Sequence, residues 1–274
     1  MKQSRNQYYI EIQEDKKDEL EQFIRASLLG DGSIPKLRGT NCHLSFGHSE
    51  KQLPYLEWKR DFLRNFHLAN NISKYTHNSP RYKSGSCISY HLHSKTHPIF
   101  TEFRTKYYQD RKIINREDFI KLNEFGLAIW YMDDGNIWKQ KGSSVLTINT
   151  QCFNEEEVKF MIDFLIEKWG FRCTLNKNEN TIRISALSAD KFISIIKPYI
   201  VKCMEYKGVL VKSGELLEAL QVMGNQQPSL ISGYLKSKLS RRFNDYRVSN
   251  TNNNPCTSAR QLSKSGILVI DDIV

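Results

Sequence analysis

The chain has 274 residues, 39% of them hydrophobic, with 40 Lys+Arg against 30 Asp+Glu for a formal net charge of +10. One or two packed domains fit that length, and that apolar content excludes wholesale disorder. The positive surplus points to a polyanionic partner, nucleic acid first.

No apolar run reaches the roughly 18–20 residues of a membrane span. The longest, around residues 125–132, stops at two aspartates, and the start MKQSRNQYYI lacks the apolar stretch of a signal peptide. No membrane association is expected, and the chain is expected to work inside the cell, in a bacterial or phage cytoplasm or an organelle matrix. The six cysteines (Cys42, Cys87, Cys152, Cys173, Cys203, Cys256) are spaced too widely for a metal knuckle and read as free thiols.

Residues 16–30 read as a helix, with Leu20, Phe23, Ile24 and Leu28 on one stripe. Two short strands follow, near 33–38 and 41–46, the second alternating Cys42, Leu44 and Phe46 with His43 and Ser45. Ser49 and Gln52 resemble a capping box that opens a helix to about Phe66. A hairpin over 72–77 and 86–93 turns through Asn78, Ser79, Pro80 and a basic loop, and a helix near 97–109 closes the set.

After Lys112 the same order restarts. A helix over 122–133 precedes strands near 136–139 and 145–151. Asn154 followed by three glutamates caps a helix to Trp169, with Val158, Met161, Ile162 and Leu165 on its buried stripe. A hairpin over 171–177 and 181–187 and a helix over 189–200 end the second set. The fold class is therefore α+β, two pseudo-symmetric α-β-β-α-β-β-α repeats in one chain, mimicking a symmetric dimer. Residues 1–115 and 116–212 form the repeats, and 213–274 an extension. In that extension 213–223 and 229–243 read as helical, the latter carrying Lys236, Lys238, Arg241 and Arg242, and the stretch GILVIDDIV has no assigned partner.

In the second repeat the strands alternate apolar residues with hydrogen-bonding and cationic ones, the kind that read base edges and phosphates. Candidate DNA contacts there are Lys139, Thr147, Asn149, Gln151, Arg172, Thr174, Asn176, Arg183 and Ser185. In the first repeat they are Lys36, Arg38, His43, Lys74, Arg81, Lys83, His91 and His93. All seven histidines fall between His43 and His97. A metal trio of His91, His93 and His97 is the lesser reading; polar residues facing DNA account for them better.

The first helix of each repeat ends in an acid and a glycine: SLLGDGSI with Asp31, WYMDDGNIW with Asp133 and Asp134. A glycine there is an ordinary helix cap. The acid is not, because a carboxylate at a helix C-terminus opposes the dipole at a cost of about 0.3–1 kcal/mol. If the two helices pack side by side, with Ala26, Ser27 and Gly30 allowing close approach, Asp31 and Asp134 become neighbours. Two close anions call for a cation, and hard carboxylates favour Mg²⁺ (or Mn²⁺). Carboxylates bridging divalent ions are suited to displacement at phosphorus.

These segments carry a family resemblance. IRASLLGDG (24–32) and LAIWYMDDG (127–135) resemble the two motifs of single-chain LAGLIDADG homing endonucleases, and so do the flanking FGLAIWYMDDGNIW, VLTINTQCFNEEEVKFM and IIKPYIVKCMEYKG. The likeness covers about residues 18–212. It implies a saddle of two antiparallel sheets in the major groove with the motif helices as its central seam. It also implies a monomer that cuts both strands of a long asymmetric DNA site, with divalent metal, leaving short 3′ overhangs. Asp31 and Asp134 are then the metal acids. Gly30 and Asp133, at the alanine position of the idealised motif, adjoin the metal, Asp133 as a supporting or capping residue. A basic residue near each active centre corresponds to Lys112 (in DRKIIN) and Lys207 (in MEYKG), each closing its own repeat and each able to polarise water or stabilise phosphorane charge. Two competing readings are an RNA-binding maturase that assists splicing of its own intron and a non-catalytic DNA-binding regulator.

Overall fold

The computed structural model describes residues 11–36, 39–78, 85–140 and 143–210. Arg38, Arg81, Lys83, Cys256 and the extension beyond residue 210 lie outside the described residues.

The expected repeat is present. The first half runs α1 (Glu14–Leu29), β1 (Ser45–Ser49), α2 (Leu53–Arg64), β2 (Ser73–Asn78), β3 (Ser86–His93) and α3 (Pro98–Tyr107). After a single-turn helix, α4 (Arg116–Phe119), the second half runs α5 (Glu124–Asp134), β4 (Gly135–Gln140), β5 (Ser143–Asn149), α6 (Glu155–Trp169), β6 (Cys173–Asn176), β7 (Thr181–Ile184) and α7 (Ala186–Ile196). Two 3₁₀ segments follow, Lys197–Tyr199 and Lys202–Gly208. The strands form two antiparallel sheets, ordered β1-β3-β2 and β4-β5-β7-β6. Helices α1 and α5 pack against each other between the halves.

Among the described residues the first sheet is one strand short of the expectation. Of the segment expected as a strand near 33–38, residues 33–36 are described and contribute a bridge from Ser33 to Ser45. Its backbone is claimed by side chains instead: the Ile34 N–H donates to Tyr108 Oη, and the Ile34 carbonyl accepts from Arg104. Pro35, with no N–H, could not continue the ladder. The alternation of Cys42, Leu44 and Phe46 survives in burial, but the strand itself begins at Ser45.

The capping box at Ser49 is not made. Ser49 gives no side-chain cap, and α2 starts later, at Leu53, with Pro54 in its first turn. Gln52 is diverted to the ring of His48, at 2.8 Å. The capping box of α6 is made in full, with Asn154 Oδ1 accepting from the Glu157 N–H and Glu157 accepting from the Asn154 N–H. The last helix begins three residues earlier than expected and gives way to the 3₁₀ turn at Pro198.

Buried polar contacts tie the linker to the seam. Arg25 of α1 reaches Asp118 of α4 through Nε at 2.8 Å and Nη2 at 3.0 Å, and Tyr107 Oη adds a bond of 2.7 Å. Gln22 of α1 accepts from the Asn123 N–H and donates to the Lys121 carbonyl, fixing the start of α5. The five described cysteines are free. Among the described residues no helix is long and apolar enough to cross a membrane.

Asn154 closes the α6 cap through its side chain, which accepts from the Glu157 N–H. Asn154→Ala is expected to cost about 1 kcal/mol, a fall of roughly 2–4 °C in thermal midpoint. Calorimetry of the two proteins measures that shift.

Candidate active site

The C-terminal ends of α1 and α5 come together at one point of the seam. Ala26 and Ser27 are fully buried there, and Gly30 completes the close approach. A Cβ on Gly30 would lie 2.5 Å from Asp133 Cβ and 2.7 Å from its Oδ2. Gly135 is fixed by its own helix, since a Cβ there would lie 2.2 Å from Cδ2 of Tyr131. Its φ of −78° is open to any residue. What excludes a side chain at these positions is therefore space, not the left-handed backbone of an ordinary glycine cap.

Three acids stand at this point of the seam, two of them partly open to solvent and one enclosed. Asp31 keeps 15% of its side-chain surface exposed and Asp134 is likewise half-buried, whereas the Asp133 side chain is fully enclosed. Burial pushes the Asp31 carboxyl upward and Asp133 adds to it, against the pull of His48, Lys59 and Lys207. Burial pushes Asp134 well above the ordinary carboxylate range, and the charges of Asp31 and Asp133 push it further.

Both expected lysines are at the site, each holding the end of a motif helix. Lys112 Nζ donates to the carbonyls of Leu28 (2.8 Å), Gly32 (3.1 Å) and Gly30 (3.4 Å). Lys207 Nζ donates to the carbonyls of Met132 and Asp133, the latter at 3.2 Å. These contacts offset the dipole penalty that the acids incur. Both ammonium charges act on Asp134 and pull its carboxyl down. Lys207 is 7% exposed, and burial lowers its own ammonium while the three acids raise it.

Asp133 does not turn its carboxylate to the same opening. Its Oδ1 accepts from Tyr55 Oη at 2.7 Å and Lys59 Nζ at 2.8 Å, and its Oδ2 accepts from the Asp31 N–H at 3.2 Å. Lys59 is fully buried, with Nζ 4.4 Å from the Phe46 ring centre and 4.5 Å from that of Tyr55. His48 stands 3.9 Å from Asp31, with its Nε2 buried and without a hydrogen bond. Sequence reasoning missed Tyr55, Lys59 and His48. A signal for Lys59 exists: Tyr55, Leu56, Lys59, Phe62 and Leu63 share the helical spacing of a buried stripe, and all five are buried.

The chain as a whole has known relatives. Residues 21–192 match the LAGLIDADG DNA endonuclease family. The chain belongs to that family. It is 27% identical over 200 residues to a "probable intron-encoded endonuclease 1" of Wickerhamomyces canadensis, covering 68% of this chain and 82% of the relative. It is 33% identical over 131 residues to a "probable intron-encoded DNA endonuclease 3" of Mycosarcoma maydis, covering 45% and 95%. Among solved structures it is similar to the homing endonuclease I-WcaI bound to its DNA recognition sequence, at 27% identity and a TM-score of 0.62, covering 71% of this chain and 87% of that one.

The polar sheet faces of this family member follow the expected alternation in part. In the second sheet Asn136, Thr147, Arg183 and Thr174 stand in one cross-strand row, and Asn149, Thr181 and Asn176 in the next. Trp138 also belongs to this face: it is 52% exposed and donates from Nε1 to Thr147 Oγ1 at 3.1 Å. The Lys139 backbone pairs with Ser144, and its side chain lies outside what is described. Gln151 and Arg172 are exposed but lie just outside the strands. Ser185 turns its hydroxyl inward, where it is buried.

In the first sheet His91 and His93 share a face with Ser45, Ser89 and Tyr75. His43 packs its ring against His93, with ring centres 5.4 Å apart. Lys36 is exposed. Lys74 pairs with Tyr90, which pairs with His48, so it stands on the helix side of this edge strand and not beside His91. His97 caps α3 by accepting from the Ile99 N–H, which takes it away from any trio with His91 and His93.

The crowded acids carry a stability consequence with a definite sign. A carboxyl raised on folding keeps a proton that the unfolded chain releases, so stability falls as pH rises from the ordinary carboxylate range through the raised folded value. In metal-free protein, Asp134→Asn is expected to raise the thermal midpoint by a few °C at pH 7, with the gain vanishing in acid. Calorimetry in a chelator across that pH range measures it.

Proposed function

We propose that the protein is a site-specific homing endonuclease that hydrolyses both strands of a long asymmetric DNA target as a monomer, with Mg²⁺ or Mn²⁺ as its cofactor, leaving short 3′ overhangs. One observation carries this reading. Two partly exposed acids from equivalent motifs, Asp31 and Asp134, stand together at the seam, and each motif helix is held by the lysine that closes its own repeat.

The donor set suits a hard divalent ion. Two repelling carboxylates with raised affinity for a proton favour any cation that replaces it. Among the described residues no three His, Cys, Asp or Glu side chains gather into a cage. Mg²⁺ needs only one or two carboxylates, since it completes its shell with water and substrate phosphate. Asp31 and Asp134 would hold the ion, with the backbone of Gly30 and Asp133 adjoining it. When bound it supplies charge stabilisation at the scissile phosphate and a more acidic water.

The chain's own groups do the rest. Residues 1–115 and 116–212 each bind one half-site, laying the faces of His91 and His93 and of Thr147, Thr174 and Arg183 against the major groove. Lys112 and Lys207 keep two positive charges beside the acids, where they bias the site towards the developing negative charge of the transition state. Their carbonyl bonds also fix the helix ends, so the acids are presented without reorganisation.

Asp31→Asn and Asp134→Asn are expected to leave target binding within about twofold and to slow double-strand cleavage by roughly 10³-fold or more. Lys112→Ala and Lys207→Ala are expected to slow cleavage by about 10–100-fold. Gel-shift titrations and single-turnover cleavage of a target drawn from the gene's own insertion site check each; undiminished cutting by either acid variant contradicts the proposal. Binding is also expected to weaken steeply with salt, by about 0.9 in log K per log unit of salt for each phosphate neutralised.

A further inference from the structure

The two motif acids are not held in the same way. Asp134 lies within α5, so its backbone belongs to the helix. Asp31 lies two residues beyond the end of α1. In a continued helix its N–H would donate to the Ser27 carbonyl, but that carbonyl accepts from the Gly32 N–H at 2.7 Å. The Asp31 N–H donates to Asp133 Oδ2, from the opposite half of the chain.

That acceptor is itself built into place. The Asp133 carboxylate is enclosed, and an enclosed charge persists only when paired and hydrogen-bonded. Lys59 and Tyr55, both from α2 of the first half, supply the pairing on Oδ1. Phe46 and Tyr55 flank the ammonium with aromatic faces. Gly30 clears the space, since any side chain there would overlap Asp133. Gly30 occupies the position in the first motif that Asp133 occupies in the second, and having no side chain it offers Asp134 no corresponding bond.

We propose that Lys59 is a positioning residue: together with Tyr55 it holds the Asp133 carboxylate in the seam, and that carboxylate fixes the backbone of Asp31 and hence the direction of its own carboxylate. The latch crosses between the halves, so it aligns one active centre by the docking of the other repeat. The consequence for cleavage rests on the nuclease reading above; the backbone clamp does not.

Three variants separate alignment from packing. Lys59→Met leaves a buried carboxylate without its cation, and the thermal midpoint is expected to fall by roughly 10 °C. The double change Lys59→Met with Asp133→Ala removes both charges and recovers most of that loss. It keeps DNA affinity in chelator within about twofold, yet cleaves about 10–100-fold more slowly. Lys59→Met with Asp133→Asn keeps an acceptor for the Asp31 N–H and recovers cleavage to within about threefold of the unaltered protein. Hydrogen exchange at the Asp31 amide of the metal-free protein is slow in the unaltered protein and the asparagine double variant, and at least about tenfold faster in the alanine one. Full cleavage by the alanine variant, or no rescue by asparagine, overturns the proposal. Should the exchange pattern hold while the unaltered protein cuts no DNA, the latch stands and the nuclease reading fails.

Discussion

Everything at the centre of this molecule follows from placing two helix C-termini, each with an acid, against one another. The arrangement is unfavourable three times over: the helix dipoles point their negative ends at the acids, the acids repel each other, and burial strips their solvent. The chain offsets this with cations brought from elsewhere in sequence. Lys112 and Lys207 close on the helix-end carbonyls, and Lys59 enters from α2 to pair with Asp133. The remaining tension sits on Asp31 and Asp134, the two acids with access to solvent, and a divalent ion would relieve it.

The repeat is a scaffold on which the halves have diverged. Among the described residues one sheet has four strands and presents Thr147, Thr174, Asn149, Asn176 and Arg183; the other has three and presents His91, His93, Ser45, Ser89 and Tyr75. Such an unequal pair of faces suits the asymmetric DNA target proposed above. The centre is asymmetric as well, because Gly30 and Asp133, equivalent by repeat, have become complementary in shape: one supplies the hole that the other fills.

Periodicity located most elements because burial enforces it. The hairpin of β2 and β3, the stripe of α6 and the alternation of Leu146 and Ile148 were all legible. So was the acid pair, through its unusual place at two helix ends. Three things were not. A one-residue shift of register reverses the face of a strand residue, and Lys74 stands on the helix side for that reason. Side chains can take over a backbone that reads as a strand, as Tyr108 and Arg104 do at Ile34. A single turn such as α4 has no period to detect.

The sequence by itself determined the duplication, the class of fold, and the family through its two motifs, since each is written in local pattern and spacing. Only the tertiary structure decided that Asp133 faces inward, that Lys59 crosses the seam to meet it, and that Lys112 and Lys207 grasp the motif helices. Those contacts join residues separated by 74 to 84 positions. No local propensity specifies such a pair; it exists because packing the two halves leaves a charge enclosed, and the cost of an unpaired buried charge selects the partner.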